Sequence, residues 1–568
     1  MRMEIQKFLA EKIKEAVKDT YSIDLKEVFL EHPQDETFGD YATNVAMVIS
    51  KQVGKPPVEI ASNLCYKISS DMTRVERPPI IKEIYPTKQG FINVRLSNLW
   101  LKDVLKIIEK ESDNYGARKR EKKETILVEF SQPNPNKPMH IGHARNNFLG
   151  SSLSNIFKFL GFDVIRVNYI NNWGTHICKA MLMYKKYGNN SEPDVKSDHF
   201  VGKFYTKYEE EEAKNPEIKN ELAEMFQKLE KGDPETVVLW KKIVDWVYKG
   251  WEKTYQDENV SFDVWQYQSN YKDSSREIVN VALEKGIAEK DETGAVIARL
   301  ERYGIPDKVL LRGDGTSVYA TQEMQLAKDS FEKYNLSKRL YVVDYRQSDY
   351  FKQTFKILEV LGFGWADKLF HVAYGTVDLP GGKMSSRRMG SFIDADEVFE
   401  KLVEAERGET SDVDVARKVS LAAFRYGMLK IDPKQDIIFR YDQVTKFEGN
   451  TGPYILYTYA RANSILKKAE SEGKLTDHEP NQKELDVLKA LYKFPEVVFD
   501  ASEKFSPNII ANYVFDVCQR FNSFYSEVPV LNAETPNAKE FRLFLIRSTL
   551  QVIKNSLSLL GIEAVEHM

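Results

Sequence analysis

The sequence predicts a multidomain α/β protein built around one parallel β-sheet. At 568 residues the chain is too long for a single hydrophobic core, so several domains are expected. Between residues 125 and 392, strand-like and helix-like patterns alternate, which is typical of a parallel sheet with crossover helices. After about residue 394 the strand-like patterns almost vanish, and helical periodicity continues to the last residues.

The N-terminal part, residues 1–115, is predicted to be a small α/β domain. Its helical patterns cover residues 5–17, 41–53 and 57–68. A strand-like segment, GFINVRLS, closes it at residues 90–97. The highly charged run that follows, residues 117–124, is interpreted as a solvated linker rather than a nucleic-acid contact.

The central part, residues 116–395, is predicted to contain the parallel sheet. The strand candidates are residues 125–130, 163–170, 308–312, 339–344 and 369–377. A charged, helix-rich insertion is expected at about residues 185–290. The remaining residues, 396–568, are predicted to form an all-α region, because helical patterns cover residues 416–428, 453–470 and 508–525.

Composition narrows the class of protein. The 42% hydrophobic and 29% charged residues are ordinary for a soluble globular protein, and the net charge of −4 neither indicates nor excludes nucleic-acid binding. Cys65, Cys178 and Cys518 are far apart, which argues against a disulfide framework or zinc site and fits a reducing cytoplasm. No apolar run approaches the roughly 18 residues of a membrane span, and the charged N-terminus does not resemble a secretory signal.

The first candidate site is the segment PNPNKPMHIGH, residues 133–143. It lies between the predicted buried strand at residues 125–130 and a helical pattern, so it is expected to bind an anion at the free N–H groups of the helix. His140 and His143 would add hydrogen-bond donors, and Gly142 would let a ligand approach the backbone. The alternative is that either histidine merely caps the helix or fills the core.

The second candidate site is GGKMSSRR, residues 381–388, which follows the strand-like segment at 369–377. Its two glycines suggest flexibility, and Lys383, Arg387 and Arg388 supply cations. Together the two segments are interpreted as two halves of one polyphosphate site at the end of a parallel sheet. P-loop chemistry is not expected, because the chain lacks the glycine-rich motif that ends in Gly-Lys-Ser/Thr.

Both segments resemble signatures of class I aminoacyl-tRNA synthetases, and among these the arginyl-tRNA synthetases. Residues 140–143 are the HIGH signature in full, whereas residues 383–387 resemble the KMSKS signature only in part. Ser386 stands where the second signature lysine would fall, and Arg387 where the final serine would. The arginyl resemblance extends to residues 38–46, 90–97, 129–146, 317–328, 350–362, 447–461 and 511–531, so it covers nearly the whole chain.

This resemblance implies an arginine–tRNA ligase. Such an enzyme activates L-arginine with ATP and Mg²⁺, releases pyrophosphate, and transfers arginine to the terminal adenosine of tRNA(Arg). It also implies a Rossmann-like catalytic domain, an N-terminal domain that binds the tRNA elbow, and C-terminal helices that contact the tRNA stem and anticodon. A cytoplasmic monomer with no zinc and no membrane association is expected.

The resemblance assigns the ATP site to both signatures. His140, Gly142 and His143 are expected to bind ATP, with His140 and His143 also catalytic. Lys137 is expected to substitute for the missing signature lysine as a further catalytic residue. The second signature contributes the ATP-binding residues Lys383 (also catalytic), Met384, Ser385, Ser386 and Arg387.

A guanidinium is best held by carboxylates and amide oxygens. The resemblance accordingly assigns the arginine substrate to Glu129, Ser131, Asn134, His140, Tyr319, Glu323 and Gln347. Two positions depart from the family: Glu323 replaces the usual aspartate, and Gln268 stands where a glutamate is often found. The amide oxygen of Gln268 can still accept a guanidinium N–H.

Two alternatives are weighed against this interpretation. A cysteinyl or methionyl synthetase is disfavoured because zinc-type cysteine clusters are missing from the sequence. A catalytically inactive RNA-binding relative is disfavoured because Lys137, His140 and His143 are all retained. Six aromatic residues of the C-terminal region are expected to be core residues more often than base-stacking ones: Tyr454, Tyr457, Tyr459, Phe521, Phe524 and Tyr525.

Overall fold

The computed structural model describes residues 5–72, 79–271, 276–316, 318–380, 393–469 and 471–568. Two compact units form, and each combines segments that are distant in sequence. The first comprises residues 1–116, 458–498 and 515–555, and the second comprises residues 117–457, 499–514 and 556–568.

The N-terminal segment is a small α/β structure, as predicted. Its elements are α1 (Ile5–Tyr21), β1 (Tyr41–Thr43), α2 (Val45–Val53), α3 (Pro57–Met72), β2 (Ile81–Pro86), β3 (Ile92–Leu96) and α4 (Asn98–Glu111). The three strands form an antiparallel sheet in the order β1-β3-β2. The helix predicted for residues 41–53 begins only at Val45, because Tyr41–Thr43 form a strand in which Tyr41 pairs with Val94. Its aromatic side chain favours a strand once a partner strand is present.

The central segment alternates strands and helices. It contains β4 (Thr125–Glu129), α5 (Ile141–Phe159), β5 (Asp163–Ile170), α6 (Thr175–Tyr187), α7 (Ser197–Lys214), α8 (Ile218–Glu230), α9 (Pro234–Asp257), β6 (Val264–Tyr267), α10 (Arg276–Glu284), β7 (Ala288–Lys290), β8 (Val296–Ala298), β9 (Lys308–Leu311), α11 (Tyr319–Tyr334), β10 (Leu336–Asp344), α12 (Ser348–Val360), β11 (Leu369–Tyr374) and β12 (Val377–Asp378).

The predicted parallel sheet is confirmed. Five strands pair in the order β11-β10-β4-β5-β6, and every pairing is parallel. At its centre, Ile126, Leu127 and Val128 of β4 are completely buried, as expected for a strand covered on both faces. Helix α5 packs so closely on β4 that a Cβ atom at Gly150 would lie 2.1 Å from the Phe130 ring.

Two details of the central prediction are wrong. The strand predicted at residues 308–312 forms as β9, but it belongs to a separate antiparallel sheet of order β7-β8-β9. A tight turn, in which Gly294 donates to the Asp291 carbonyl, joins β7 to β8 and favours this local pairing. In addition, β6 lies inside the predicted helical insertion and pairs with β5, because its aromatic and β-branched residues suit an edge strand.

The C-terminal region is almost entirely helical, as predicted. It contains α13 (Ala395–Glu406), α14 (Val413–Leu429), β13 (Ile437–Ile438), α15 (Tyr441–Val444), α16 (Gly452–Lys468), α17 (Gln482–Leu491), α18 (Phe494–Glu503), α19 (Asn508–Glu527) and α20 (Pro536–Leu559). Side-chain caps from Asp394, Asp412 and Asn481 begin three of these helices. In the part of the chain that the structure describes, every helix is too short or too polar to cross a membrane.

Candidate active site

A cavity of about 580 Å³ opens where β4, β5, β10 and β11 end. Parallel strands bring their carboxyl ends to one edge of the sheet, which is where such folds bind ligands. Nine residues predicted for substrate binding line it together: Glu129, Ser131, Asn134, His140, Gly142, His143, Tyr319, Glu323 and Gln347.

The turn after β4 has a strained backbone. Ser131 and Gln132 adopt φ angles of 76° and 49°, in the left-handed region that residues other than glycine seldom enter. Two asparagine side chains hold the turn: the Ser131 N–H donates to Asn146 Oδ1 at 2.7 Å, and the Gln132 N–H donates to Asn168 Oδ1 at 3.2 Å. The Ser131 hydroxyl lies 2.7 Å from the Tyr255 hydroxyl on α9. The insertion helices thus help to shape this wall of the cavity.

His140 and His143 form a reciprocal cap at the start of α5. Nδ1 of His140 accepts N–H bonds from Gly142 and His143, at 3.1 and 3.3 Å, and Nδ1 of His143 accepts from the His140 N–H at 3.1 Å. Both imidazoles therefore carry their proton on Nε2. Burial, reinforced by the nearby charge of Lys137, lowers the pKa of His140 to about 3, and burial also holds the pKa of His143 well below its usual value. Both rings are neutral N–H donors.

The expectation of free helix N–H groups is wrong. The Gly142 and His143 N–H groups are bonded to the His140 imidazole, and the Ile141 N–H donates to the Ile393 carbonyl at 2.9 Å. His140 and His143 cap α5, as the alternative interpretation held, and they also line the cavity. The donors available to a ligand here are imidazole Nε2–H groups.

The segment before α13 supports this histidine turn. His140 forms a β-bridge with Asp394, and the Ala395 N–H donates to the Met139 carbonyl at 3.0 Å. The Asp394 carboxylate caps α13 by accepting the Asp396 N–H at 2.8 Å. Residues 394 and 395, which come several positions after the second signature, are thereby bonded to the first.

A charged cluster lies behind Asp394. Asp198, His199 and Asp396 bring possible metal-ligand atoms within 4.8 Å of one another. The ammonium of Lys196 lies 2.9 Å from Asp198 and 2.6 Å from Asp396, so a lysine already supplies the cation between the carboxylates. His199 Nε2 is 2.9 Å from Asp396. This arrangement is an ion-pair network that joins α7 to α13.

Two carboxylates line the cavity, and one internal guanidinium lies behind them. Glu129 on β4, Glu323 on α11 and Arg339 on β10 each have at most 2% of their surface exposed. Arg339 Nη2 lies 2.6 Å from Glu129 Oε2 and 3.5 Å from Glu323 Oε1. Glu129 also accepts a bond from Gln132 Nε2 at 2.8 Å, and the Tyr341 hydroxyl bonds to Glu323. Counting formal charges, two carboxylates and one guanidinium leave an attraction for one further cation.

Two predicted polar residues and one aromatic residue complete the lining. Asn134 and Gln347 lie on the cavity wall, as does Tyr319 at the start of α11. The Tyr319 ring lies 6.2 Å from that of Tyr169 and 5.8 Å from that of Tyr350, centroid to centroid. These rings form an apolar side wall next to the buried charges.

Other predicted residues lie elsewhere. Lys137 is outside the lining of this cavity, and its ammonium lies 5.7 Å from the centre of the Tyr205 ring on α7. Gln268 is also outside the lining, and its amide donates to Gln322 at 2.9 Å. The second-signature residues Lys383, Met384, Ser385, Ser386 and Arg387 lie outside the described residues.

The sequence interpretation missed several residues of the site. Arg339 is the most important of them, and its only signal was a charged residue in the apolar strand RLYVVD. The cavity also contains Asp344, Arg346, Asp378 and Asp436, which lie in loops or at strand ends and showed no pattern. These residues reach the cavity only through the tertiary fold, which hydrophobic periodicity does not reveal.

The six C-terminal aromatic residues considered for base stacking differ in how much of their surface is exposed. Phe521 and Phe524 are completely buried, so they are core residues, in line with the expectation for most of the six. Tyr457 is 47% exposed. The Arg461 guanidinium lies 4.8 Å from the centre of the Tyr525 ring, which occupies one face of that ring.

Comparisons with known proteins cover all of these regions. The family model described as tRNA synthetases class I (R), catalytic domain, matches residues 104–441. The model described as DALR anticodon binding domain matches residues 455–568, and the one described as Arginyl tRNA synthetase N terminal domain matches residues 7–96.

Individual relatives match along the whole chain. The arginine–tRNA ligase of Phocaeicola vulgatus is 36% identical over 616 residues, and that of Bacteroides thetaiotaomicron is 34% identical over 606 residues; each covers 100% of both chains. The solved structure of Thermus thermophilus arginyl-tRNA synthetase is 26% identical, with a TM-score of 0.85, and covers 99% of this chain and 100% of that chain. The similarity therefore includes every segment that forms the cavity.

Proposed function

The chain belongs to the arginyl-tRNA synthetase family, and from this premise we propose that the cavity at the sheet edge is its arginine-activation site. The protein is an arginine–tRNA ligase, a class I synthetase that uses ATP, arginine and tRNA. The observation that carries the site assignment is the presence, in one cavity, of a buried carboxylate pair and two neutral imidazole donors.

Glu129 and Glu323 would hold the guanidinium of the substrate. They are buried, so their attraction for a cation is weakly screened. Asn134, Gln347 and Tyr319 would orient the rest of the arginine, together with Ser131, whose N–H is held by Asn146. A neutral analogue could not form the carboxylate–guanidinium pair with Glu323, which is a strong basis for rejecting it.

The chemical step requires the arginine carboxylate to attack the α-phosphate of ATP, with pyrophosphate as the leaving group. His140 and His143 would donate Nε2–H bonds to phosphate oxygens, and Gly142 leaves room for the nucleotide beside them. Because both imidazoles are neutral, they stabilise charge by hydrogen bonding and do not act as cations. Donors held by the backbone need no reorganisation during the reaction.

Cations for the pyrophosphate would come from Lys137, Lys383 and Arg387. Lys137 lies close enough to His140 and His143 for its charge to lower the pKa of both, which supports a role beside them. Mg²⁺ would accompany ATP and neutralise phosphate charge when bound. The carboxylates of Asp378 and Asp436, which line the same cavity, offer the oxygen ligands that this ion prefers.

The second step would transfer arginine to the terminal adenosine of tRNA(Arg), at its 2′-hydroxyl. We assign elbow contacts to residues 1–115, the catalytic domain to residues 116–395, and stem and anticodon contacts to residues 396–568. Tyr457, which is 47% exposed, is the candidate for base stacking among the six aromatic residues. We further propose that the enzyme acts as a cytoplasmic monomer.

The test is ATP–pyrophosphate exchange with each of the twenty amino acids, with and without tRNA(Arg). We expect exchange with arginine alone among them, and only when tRNA is present. Exchange with another amino acid would contradict the assignment of the pocket. Failure with arginine and cognate tRNA together would contradict the proposed activity.

A further inference from the structure

The buried cluster of Glu129, Glu323 and Arg339 has an unequal distribution of hydrogen bonds. Glu129 uses one oxygen for Arg339, at 2.6 Å, and the other for Gln132, at 2.8 Å. Glu323 Oε1 is 3.5 Å from Arg339 Nη2 and has no hydrogen-bond partner among the described residues. The single internal guanidinium is therefore committed mainly to Glu129.

An ionised Glu323 with one unpartnered oxygen would be expensive in the empty cavity. Glu323 is 2% exposed, and its nearest cation, Arg339 Nη2 at 3.5 Å, lies closer to Glu129, at 2.6 Å, so burial favours the protonated form of Glu323. Burial, together with the neighbouring Glu129 carboxylate, raises the pKa of Glu323 to about 8. At neutral pH the geometry and the electrostatics both favour a neutral carboxylic acid here.

The other groups that face Glu323 leave the proton on this residue. The titratable and charged groups around it are Glu129, Tyr169, Tyr271, Tyr319, Arg339, Tyr341 and Tyr350. Burial raises the pKa of the tyrosines at positions 169, 271, 341 and 350, so they stay neutral at physiological pH. Arg339 remains a cation.

We propose that Glu323 holds a proton while the cavity is empty and releases it to solvent when the guanidinium of arginine binds. The step balances: the neutral acid and the arginine cation become a carboxylate–guanidinium pair and one proton in the buffer. The bound state then contains two carboxylates and two guanidinium groups, so the buried cluster is neutral both before and after arginine binds. This inference rests on the proposed function of the cavity and adds a proton linkage to it.

The linkage gives the site a way to recognise a permanent cation. An arginine side chain keeps its charge throughout the physiological range, so it can displace the proton. A neutral isostere such as citrulline cannot stabilise the ionised Glu323 and would leave the proton in place. The substrate is thus selected by its ability to displace the Glu323 proton with a permanent positive charge, as well as by its shape.

Isothermal titration calorimetry of the full-length enzyme with L-arginine tests the proposal. Titrations at pH 7 in phosphate and in Tris, whose protonation enthalpies differ, measure the protons released. We expect about one proton per arginine bound, because the group titrates about one unit above the buffer pH. Binding without proton release would overturn this inference and leave the proposed function intact.

Variants separate Glu323 from other sources of protons. Glu323→Gln is expected to bind arginine more weakly and to release none. Glu129→Gln is also expected to release none, because Glu323 would then ionise beside Arg339 before arginine arrives. The matched control is Asp344→Asn, which removes a carboxylate of the same cavity whose charge is paired with Arg346 at 2.6 Å. Unchanged release in Glu323→Gln would contradict the assignment.

The pH dependence of aminoacylation supplies a second measurement. We expect the KM for arginine to fall about tenfold per pH unit from pH 6 to pH 8, because fewer protons must be displaced, and then to level off. In Glu323→Gln the KM should be higher and nearly independent of pH over this range. A wild-type KM without pH dependence would overturn the inference, whereas a total lack of arginine transfer would overturn the proposed function.

Discussion

The two ends of the cavity achieve rigidity in different ways. At the guanidinium end, charges on β4, β10 and α11 hold one another, with Arg339 Nη2 2.6 Å from Glu129. At the histidine end, neutral imidazoles are held by backbone groups at the start of α5. One end stores electrostatic attraction for a cation, and the other keeps neutral donors for an anion. Substitutions should therefore affect stability and catalysis in different proportions at the two ends.

The largest effect is expected at the guanidinium end. Arg339→Met leaves Glu129 and Glu323 buried with no internal cation, which we expect to lower the free energy of unfolding by about 3–5 kcal/mol. The control is Arg346→Met, because the 68% exposed side chain of Arg346 pairs with Asp344 near the surface and should contribute less than about 1 kcal/mol. Urea denaturation followed by tryptophan fluorescence measures both. Equal losses would contradict the idea that burial distinguishes them.

The histidine end should separate catalysis from stability. His140→Asn keeps an oxygen that can accept the helix N–H groups but loses the Nε2–H donor. We expect the turnover number to fall about 10²-fold, as for loss of one preorganised donor, while the unfolding midpoint changes little. His140→Leu removes the cap as well and should lower both. Full activity in His140→Asn would show that its Nε2–H is not used.

The smallest effect on function is expected for the ion-pair network of Lys196, Asp198 and Asp396, which lies behind the histidine turn. Lys196→Met leaves the fully buried Asp198 side chain without its cation, and we expect a loss of about 1–3 kcal/mol in stability. The KM for arginine should not change, because this cluster lies outside the cavity lining. Lys203→Met, on the helix that follows Lys196, is the control: its side chain is 59% exposed and lies 3.7 Å from Asp194. Thermal unfolding and arginine kinetics of both variants would reveal any larger role.

Much of the fold followed from local pattern. The alternation of strand and helix predicted the parallel sheet, and the strand at Asp163–Ile170 forms with its predicted bounds. The predictions that failed concern pairing between distant segments. Strand β9 matched its local pattern but joined the small antiparallel sheet, and β6 extended the main sheet from within a segment predicted as helical. Local periodicity reports which residues are buried but does not report the partner that buries them.

The candidate site shows the same division. Residue type and motif order in the sequence determined the resemblance to arginyl-tRNA synthetases and nine of the lining residues, since the motifs are short and contiguous. The tertiary structure alone decided that Glu129 and Glu323 share Arg339, that the first N–H groups of α5 are already hydrogen-bonded, and that residues 393–395 support the histidine turn. These features depend on distances between segments more than two hundred residues apart in sequence. Charge, hydrogen bonding and burial act through space, so only the folded chain could define them.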